Sequence, residues 1–475
     1  MQNISISKNT AIQALFAAAL SIACTRVDAL EFVFIDEFEP LPPASEKLQW
    51  FLDQLVPGEP ITDAEIMENF APSWLSSINV QETRDFLLSV RSSYPSGQVT
   101  DRIMLTPMQF TGLVTGSTGN VAFVSFGSKF ADPGINQLSV SSFGTGQATV
   151  VRSEHQGLDL DQAADEFLTM SSQPALLVGR IDSSDQCVVV EGRNESAARA
   201  TASIFKIWVL GGVAGAVESG MASIRQIVPR IDSEEAPGGP VANEPDNTPF
   251  TVMELAELML GISDNTATDL LHELVGRDAL NPVPAAFGHA QPGLLTPFLN
   301  ISETFHLLFS VPFAEANAYL NGSENSQADY VTDTLEPLGS YAANGGGFNN
   351  ADLTTTVTWR ASPLDVCNAF ARHRTWTVGS DEALVVERAL GAGVAQPNLR
   401  NEWDRIWYKG GNLIVESDPG NPGFEQVVLT HAWMLENEGS DPWVVVALSN
   451  GPTDDIDGFD VQSITGRIFE ILAAM

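Results

Sequence analysis

Apolar residues first recur with a helical period in SEKLQWFLDQL, where Leu48, Phe51, Leu52 and Leu55 fall on one face and Ser45 stands as a cap. ITDAEIMENFAPSWL and NVQETRDFLLSVRSS keep that period, so residues 45–93 are predicted to be helical. After YPSG the pattern turns β-rich. DRIMLTPMQFTGLVTG (101–116), NVAFVSFG (120–127) and INQLSVSSF (135–143) are separated by glycine turns. Helices followed by a curled antiparallel sheet predict a small α+β domain over residues 30–150.

A second unit, 157–475, opens with an amphipathic helix in GLDLDQAADEFLTMSS (157–172). Two short strands follow, ALLVGRI (175–181) and CVVVEGRN (187–194), joined by the turn-rich DSSDQ. Beyond them lie a long helical stretch, a Pro- and Gly-rich irregular region (281–297) and a loop-like insertion at 314–351 containing NGGGFNN. RIWYKGGNLIVE (405–416), QVVLTHAWML (426–435) and PWVVVALSN (442–450) read as late strands, and VQSITGRIFEILAAM as a closing helix. Helices packed on a sheet drawn from both ends of the segment, with a mostly helical insert, make a helix–sheet sandwich of the α/β class.

Charge narrows the function. With 23 basic and 60 acidic residues the net charge is −37, a surface that repels nucleic acid and anionic lipid. The excess is spread along the chain and reads as a solvated surface suited to salty surroundings. AIQALFAAALSIA (11–23) is too short to span a bilayer; with Lys8 before it and VDA (27–29) after it, residues 1–29 read as a signal peptide for periplasmic or secreted export. Cys24 leaves a lipid-anchored start as the alternative. Export permits a disulfide between Cys187 and Cys367, though two buried thiols fit the sequence equally. The six histidines fall at no metal-ligand spacing, so neither a metal nor another cofactor is expected.

Three segments carry candidate chemistry. In SIFK, Ser203 and Lys206 share a helix face, and an apolar setting would depress the lysine until it accepts the serine's proton. A capped surface helix is the plain alternative. In TPFTVMELAELMLGISDNTATDLLHELVG (248–276) an apolar stripe behind a Thr251/Glu254 capping box breaks at Ser263-Asp264-Asn265. Three polar residues there turn the chain and can face a cleft. In WYKGGN, Lys409 precedes Gly410 and Gly411 in a β-rich run, where glycine marks close approach of a ligand or backbone, or a bulge.

SxxK, then SDN, then a Lys-Gly strand element resembles the signature of class A β-lactamases and penicillin-binding proteins. The resemblance covers about residues 157–475. It implies a β-lactamase/penicillin-binding-protein-like sandwich and a small-molecule substrate, a β-lactam or an ester, acylating Ser203. Lys206 would be the proton partner and Ser263 a relay to the leaving group. Asn265 would bind the substrate's side-chain amide and orient Lys206, and Lys409 would hold a carboxylate. The backbone amides of Ser203 and Asn412, beyond Gly410 and Gly411, would form the oxyanion hole.

Two departures stand out. Gly410 replaces a hydroxyl residue, and the glutamate of an ExxLN loop is missing: before PFLN (297–300) the matching position is Thr296. Glu273 reads as a surface residue, and Glu303 is a remote substitute. Acylation without efficient hydrolysis, as in an acyl-accepting sensor, is therefore an alternative function; a D-alanyl-D-alanine carboxypeptidase is another. The two-domain layout, VTWRASPLDVCNAF (357–370) and YKGGN resemble the β-lactamase-like proteins of clavulanic-acid biosynthesis clusters. That likeness implies a cone-like front domain of the steroid isomerase and polyketide cyclase type with a ligand pocket at residues 30–150; no catalytic dyad stands out there, and the preferred reading is a pocket-shaped spacer packed on the hydrolase domain.

Overall fold

The structure is a computed structural model that describes residues 43–475 apart from 133, 144–150, 348, 417–423 and 453. The expected targeting segment, Cys24 and the first residues of the front domain lie outside the described residues.

In the front unit, helices at Pro43–Asp53, Asp63–Asn69, Pro72–Leu75 and Val80–Ser93 precede an antiparallel meander of β1 (Gln98–Leu105), β2 (Gln109–Thr115), β3 (Val121–Ser128) and β4 (Ile135–Phe143). Thr62 and Asn79 start two of the helices with reciprocal capping boxes to Glu65 and Glu82. The run 101–116 folds as a hairpin, because Thr106 turns the chain by accepting the Gln109 N–H on its hydroxyl at 3.1 Å. Register shifts at Val99/Asp101 and Arg102/Met104 bend β1, and the curved sheet closes over Phe51, Phe70, Trp74, Phe110 and Phe126. A cavity of about 720 Å³ lies between helices and sheet, with Trp74, Phe86, Phe126 and Leu138 among its walls.

The second unit is built on a five-stranded antiparallel sheet. Its strands are β5 (Ala175–Ile181), β6 (Cys187–Arg193), β11 (Arg405–Glu416), β12 (Phe424–Glu436) and β13 (Trp443–Asn450), in the order β11-β12-β13-β5-β6. Short pairs add β7 (Arg199–Ala200) to β10 (Arg360–Ala361) and β8 (Ile227–Pro229) to β9 (Pro249–Thr251). Every residue of β13 is buried, because the sheet is covered on both faces. Val445 and Ala447 meet the helices Leu160–Phe167 and Gly458–Ala473. Val444 and Val446 meet the helical layer around Trp208, Leu258 and Phe370. The helix Lys206–Glu218 runs through that layer and is buried on nearly every side.

The expectation of a loop-like insertion at 314–351 is corrected. The segment forms helices at Phe313–Leu320, Glu324–Tyr330 and Tyr341–Asn344, with a π-helical turn at Val331–Leu335. Its apolar residues Ala316, Tyr319, Val331 and Leu335 pack on Leu307 and Leu308, a core whose spacing is obscured by the surrounding Asn, Ser and Gly.

Cys187 and Cys367 form a disulfide that ties the edge strand β6 to the helix Pro363–His373. The units meet through Leu105 N–H to Ala392 O at 2.8 Å and Val394 N–H to Ile103 O at 2.9 Å. Glu244 accepts the N–H groups of Phe130 and Ala131, and Met108 of the front unit is fully buried in the core of the second.

Candidate active site

The site forms where three stretches distant in sequence meet. Ser203 stands in a 3-10 turn, Ala202–Phe205, that leads straight into the helix beginning at Lys206. The turn is fixed from several sides. Thr201 N–H donates to Trp359 O at 2.9 Å, and the Phe205 ring stacks on Trp359 with centroids 3.6 Å apart. Ala200 exchanges two hydrogen bonds with the Asn450 side chain, and Thr430 Oγ1 lies within hydrogen-bond reach of both Thr201 O and Gly411 O. Ala202 is held at φ +43°, a conformation a non-glycine residue adopts only when its surroundings impose it.

Ser263 sits between the helices Val252–Gly261 and Asn265–Val275, at φ +61°. Asp264, fully buried, locks this turn: Oδ1 accepts the Ala267 N–H at 2.8 Å, and Oδ2 accepts the Val241 N–H at 2.9 Å. Gly239 is obligatory beneath it, since a Cβ there would lie 2.2 Å from Asp264 Oδ2 and the backbone runs at φ +117°. Polar residues thus turn the chain, and the turn presents Ser263 and Asn265 to Lys206.

Lys206 is fully buried, and its amine donates to Ser263 O and Asn265 Oδ1, each at 2.7 Å. Ser263 Oγ lies at 3.2 Å and Asp264 O at 3.4 Å. Burial pushes the lysine down to about 7, against the pull of Asp264 and Asp269. The two short acceptors can take the two N–H bonds of a neutral amine; no hydrogen bond joins the amine to the Ser203 hydroxyl among the described residues. The hydroxyl of Ser203, on the preceding turn and half-buried, makes no hydrogen bond of its own among the described residues.

β11 closes the site. As the outer strand of its sheet it has one row of backbone groups that β12 does not pair. Gly411 lies flush against the serine turn: a Cβ there would be 2.5 Å from Ser203 N and 2.9 Å from Thr201 O. Lys409 is 2 % exposed, donates to Gly410 O at 2.5 Å, and is held well below the ordinary lysine range by burial and by the charge of Lys206. Asn412 is exposed at the rim.

Gly410 has its own local reason. A Cβ there would fall 2.1 Å from Tyr408 Oη and 3.2 Å from His431 Nδ1, two atoms bonded to each other at 2.8 Å. Position 410 therefore faces that pair, on the side of the strand away from the serine turn.

Neither alternative glutamate is free to act at the serine. Glu303 accepts the Asn300 N–H at 2.9 Å and pairs with Arg277, and Glu273 is exposed on its helix. Thr296 hydrogen-bonds Pro292 O at 3.3 Å. Thr430 and Asn450, the clamps of the serine turn, were missed from sequence; their signal is a polar residue fully buried on an otherwise apolar strand. Among the described residues no three or more His, Cys, Asp or Glu side chains gather as a metal site.

Residues 170–336 match the family model described as "Beta-lactamase enzyme family", a span that holds Ser203, Lys206 and the Ser263–Asn265 turn. The second unit has the β-lactamase and penicillin-binding-protein fold. Solved structures similar to this chain include PBP-A, at 17% identity over 66% of this chain and 97% of that one, with a TM-score of 0.42. A β-lactamase from Sphaerobacter thermophilus matches at 17% identity over 67% and 96%, TM-score 0.42. One from Burkholderia vietnamiensis matches at 13% over 67% and 98%, TM-score 0.43. No curated protein matches the chain.

The contact at Gly411 is with backbone, which cannot swing aside. Gly411→Ala is expected to destabilise the protein by about 1–3 kcal/mol and to displace the serine turn. Chemical denaturation checks the first effect and Ser203 reactivity the second; a wild-type result in both would contradict the close approach.

Proposed function

We propose that this protein is an exported serine hydrolase that forms an acyl-enzyme on Ser203 with a β-lactam or a small ester. The observation that carries the reading is the fully buried Lys206 amine, lowered to about 7 by burial and held by Ser263 O and Asn265 Oδ1, in the turn after a serine whose hydroxyl is unengaged among the described residues. Ser203 Oγ attacks the carbonyl carbon while its proton passes to Lys206. The tetrahedral oxyanion is held by the backbone N–H groups of Ser203 and Asn412. Ser263 relays the proton from Lys206 to the leaving nitrogen or oxygen, the acyl bond to that atom breaks, and water then releases the acid. Asn265 orients Lys206 and meets the substrate's amide. Lys409 receives the substrate carboxylate, whose charge would restore its proton.

The Cys187–Cys367 disulfide supports export, since such bonds persist in oxidising compartments. The two-unit layout supports kinship with the β-lactamase-like proteins of clavulanic-acid clusters, with the front unit as a cone-like, pocket-bearing domain. A second reading, an acyl-accepting sensor with little turnover, is favoured by the engagement of Glu303 and by Thr296 standing where a water-activating glutamate would be.

Intact-mass measurement after exposure to penicillin G, a cephalosporin and p-nitrophenyl acetate tests both readings. Rapid return to the unmodified mass indicates the hydrolase and a lasting adduct the sensor; no adduct with any of them refutes both. Ser203→Ala must abolish the adduct. The acylation rate is expected to rise about tenfold per pH unit below pH 7 and level off above it, because only the neutral amine accepts the proton. Stopped-flow acylation across pH 5–9 checks this, and a rate that falls as pH rises through 7 contradicts it.

A further inference from the structure

The turn that carries Ser263 and Asn265 rests on the segment 236–244, and the front unit holds that segment in turn. Asn265 N–H donates to Gly238 O at 2.9 Å, and the Asn265 side-chain amide donates to Pro237 O at 2.6 Å. Asp264 accepts the Val241 N–H at 2.9 Å. Thr266 exchanges two hydrogen bonds with the backbone of Ala236, at 3.1 and 3.0 Å. Displacing this segment therefore moves the groups that enclose Lys206.

The segment ends at Glu244, a buried carboxylate that no basic side chain pairs with among the described residues. Both of its oxygens are spent on the front unit. Oε1 accepts the Phe130 N–H at 3.1 Å and Oε2 the Ala131 N–H at 2.9 Å, just past the end of β3. Such charge-assisted bonds are about twice as strong as neutral ones. The Phe130 ring packs on Phe250, centroids 4.5 Å apart, in the strand β9 that leads into the helix Val252–Gly261.

The front unit also touches the other end of that helix. A Cβ on Gly261, two residues before Ser263, would lie 2.6 Å from Thr106 Cγ2 in the turn of the β1–β2 hairpin. From within the second unit, Arg230 holds the segment at Ala242 O, 3.2 Å away. Glu244 is its anchor to the front unit.

We propose that Glu244 is a positioning residue for acylation at Ser203, through which the front unit keeps the Ser263–Asn265 turn seated against Lys206. The inference rests on the reading of Lys206 as the proton acceptor. Glu244 touches no reacting atom. It acts by fixing the segment 236–244, so that the turn above it stays closed and water stays away from the amine. The front unit thereby belongs to the scaffold of the active site.

The test uses the full chain and two readings: the Lys206 titration midpoint from its ¹³C-labelled ε-carbon, and Ser203 acylation by p-nitrophenyl acetate at pH 7. Glu244→Ala is expected to raise the midpoint by about half a pH unit or more, since a loosened turn lets water reach the amine. Acylation is expected to slow about threefold or more. Glu244→Gln keeps one acceptor oxygen; it is expected to fall between Glu244→Ala and wild type, and it stands in should Glu244→Ala not fold. Ser463→Ala is the control. It removes buried hydrogen bonds to the Arg152 N–H and to His155 on the opposite face of the sheet, and is expected to leave both readings unchanged. An unshifted Lys206 midpoint in a folded Glu244 variant, an equal shift in Ser463→Ala, or a wild-type Lys206 that titrates as an ordinary lysine would overturn the proposal. Absence of acylation in wild type would refute the hydrolase reading, while the Lys206 titration would still decide the role of Glu244.

Discussion

The structure of the site depends on keeping one amine out of water. Lys206 is enclosed by the first turn of a buried helix and by the Ser263–Asn265 turn, and an ammonium there loses its hydration without gaining a salt bridge. Two short acceptors hold the nitrogen in place, and desolvation lowers its affinity for a proton. Everything that positions Ser263 and Asn265 serves this arrangement: the Asp264 lock, the glycine beneath it, and the positive-φ backbone at Ser263. The chain has five lysines, at 8, 47, 129, 206 and 409, and the last two are buried within reach of one another's charge. Lys47, also buried, reaches Glu46 at 3.2 Å and Asn69 at 3.0 Å, whereas neither Lys206 nor Lys409 pairs with a carboxylate among the described residues.

The second constraint is steric. The serine turn and the outer strand approach so closely that only glycine fits at 411, and the Thr430 hydroxyl lies within reach of a carbonyl of each, Thr201 O at 2.8 Å and Gly411 O at 3.2 Å. The turn is therefore referenced to the sheet and to the helical layer at once, and the half-buried Ser203 hydroxyl is placed by backbone instead of by side-chain contacts. Gly410, one residue away, answers to the opposite face, where Tyr408 and His431 need the space.

Much of this was legible in the sequence because the chemistry-bearing residues interrupt strong patterns. Ser263-Asp264-Asn265 breaks an apolar helical stripe, and Lys206 opens a run with almost no other polar residue. The strands of the five-stranded sheet were readable from their β-branched runs to within a few residues. The insertion at 314–351 was not, since short helices stabilised by tertiary contacts carry weak periodicity and its Asn, Ser and Gly content mimics a loop. Thr430 and Asn450 were not legible either, because their partners lie 229 and 250 residues away. The disulfide stood as one of two possibilities until the fold brought β6 against the helix Pro363–His373.

The account stands on the protonation state of Lys206, and five lysines make it directly observable. Protein labelled with ¹³C at the lysine ε-carbon, with Lys206→Arg and Lys409→Arg used for assignment, is titrated by NMR. The account predicts that the Lys206 signal titrates near pH 7, well below an ordinary lysine. A Lys206 signal that titrates as an ordinary lysine does, near ~10.4, would contradict it.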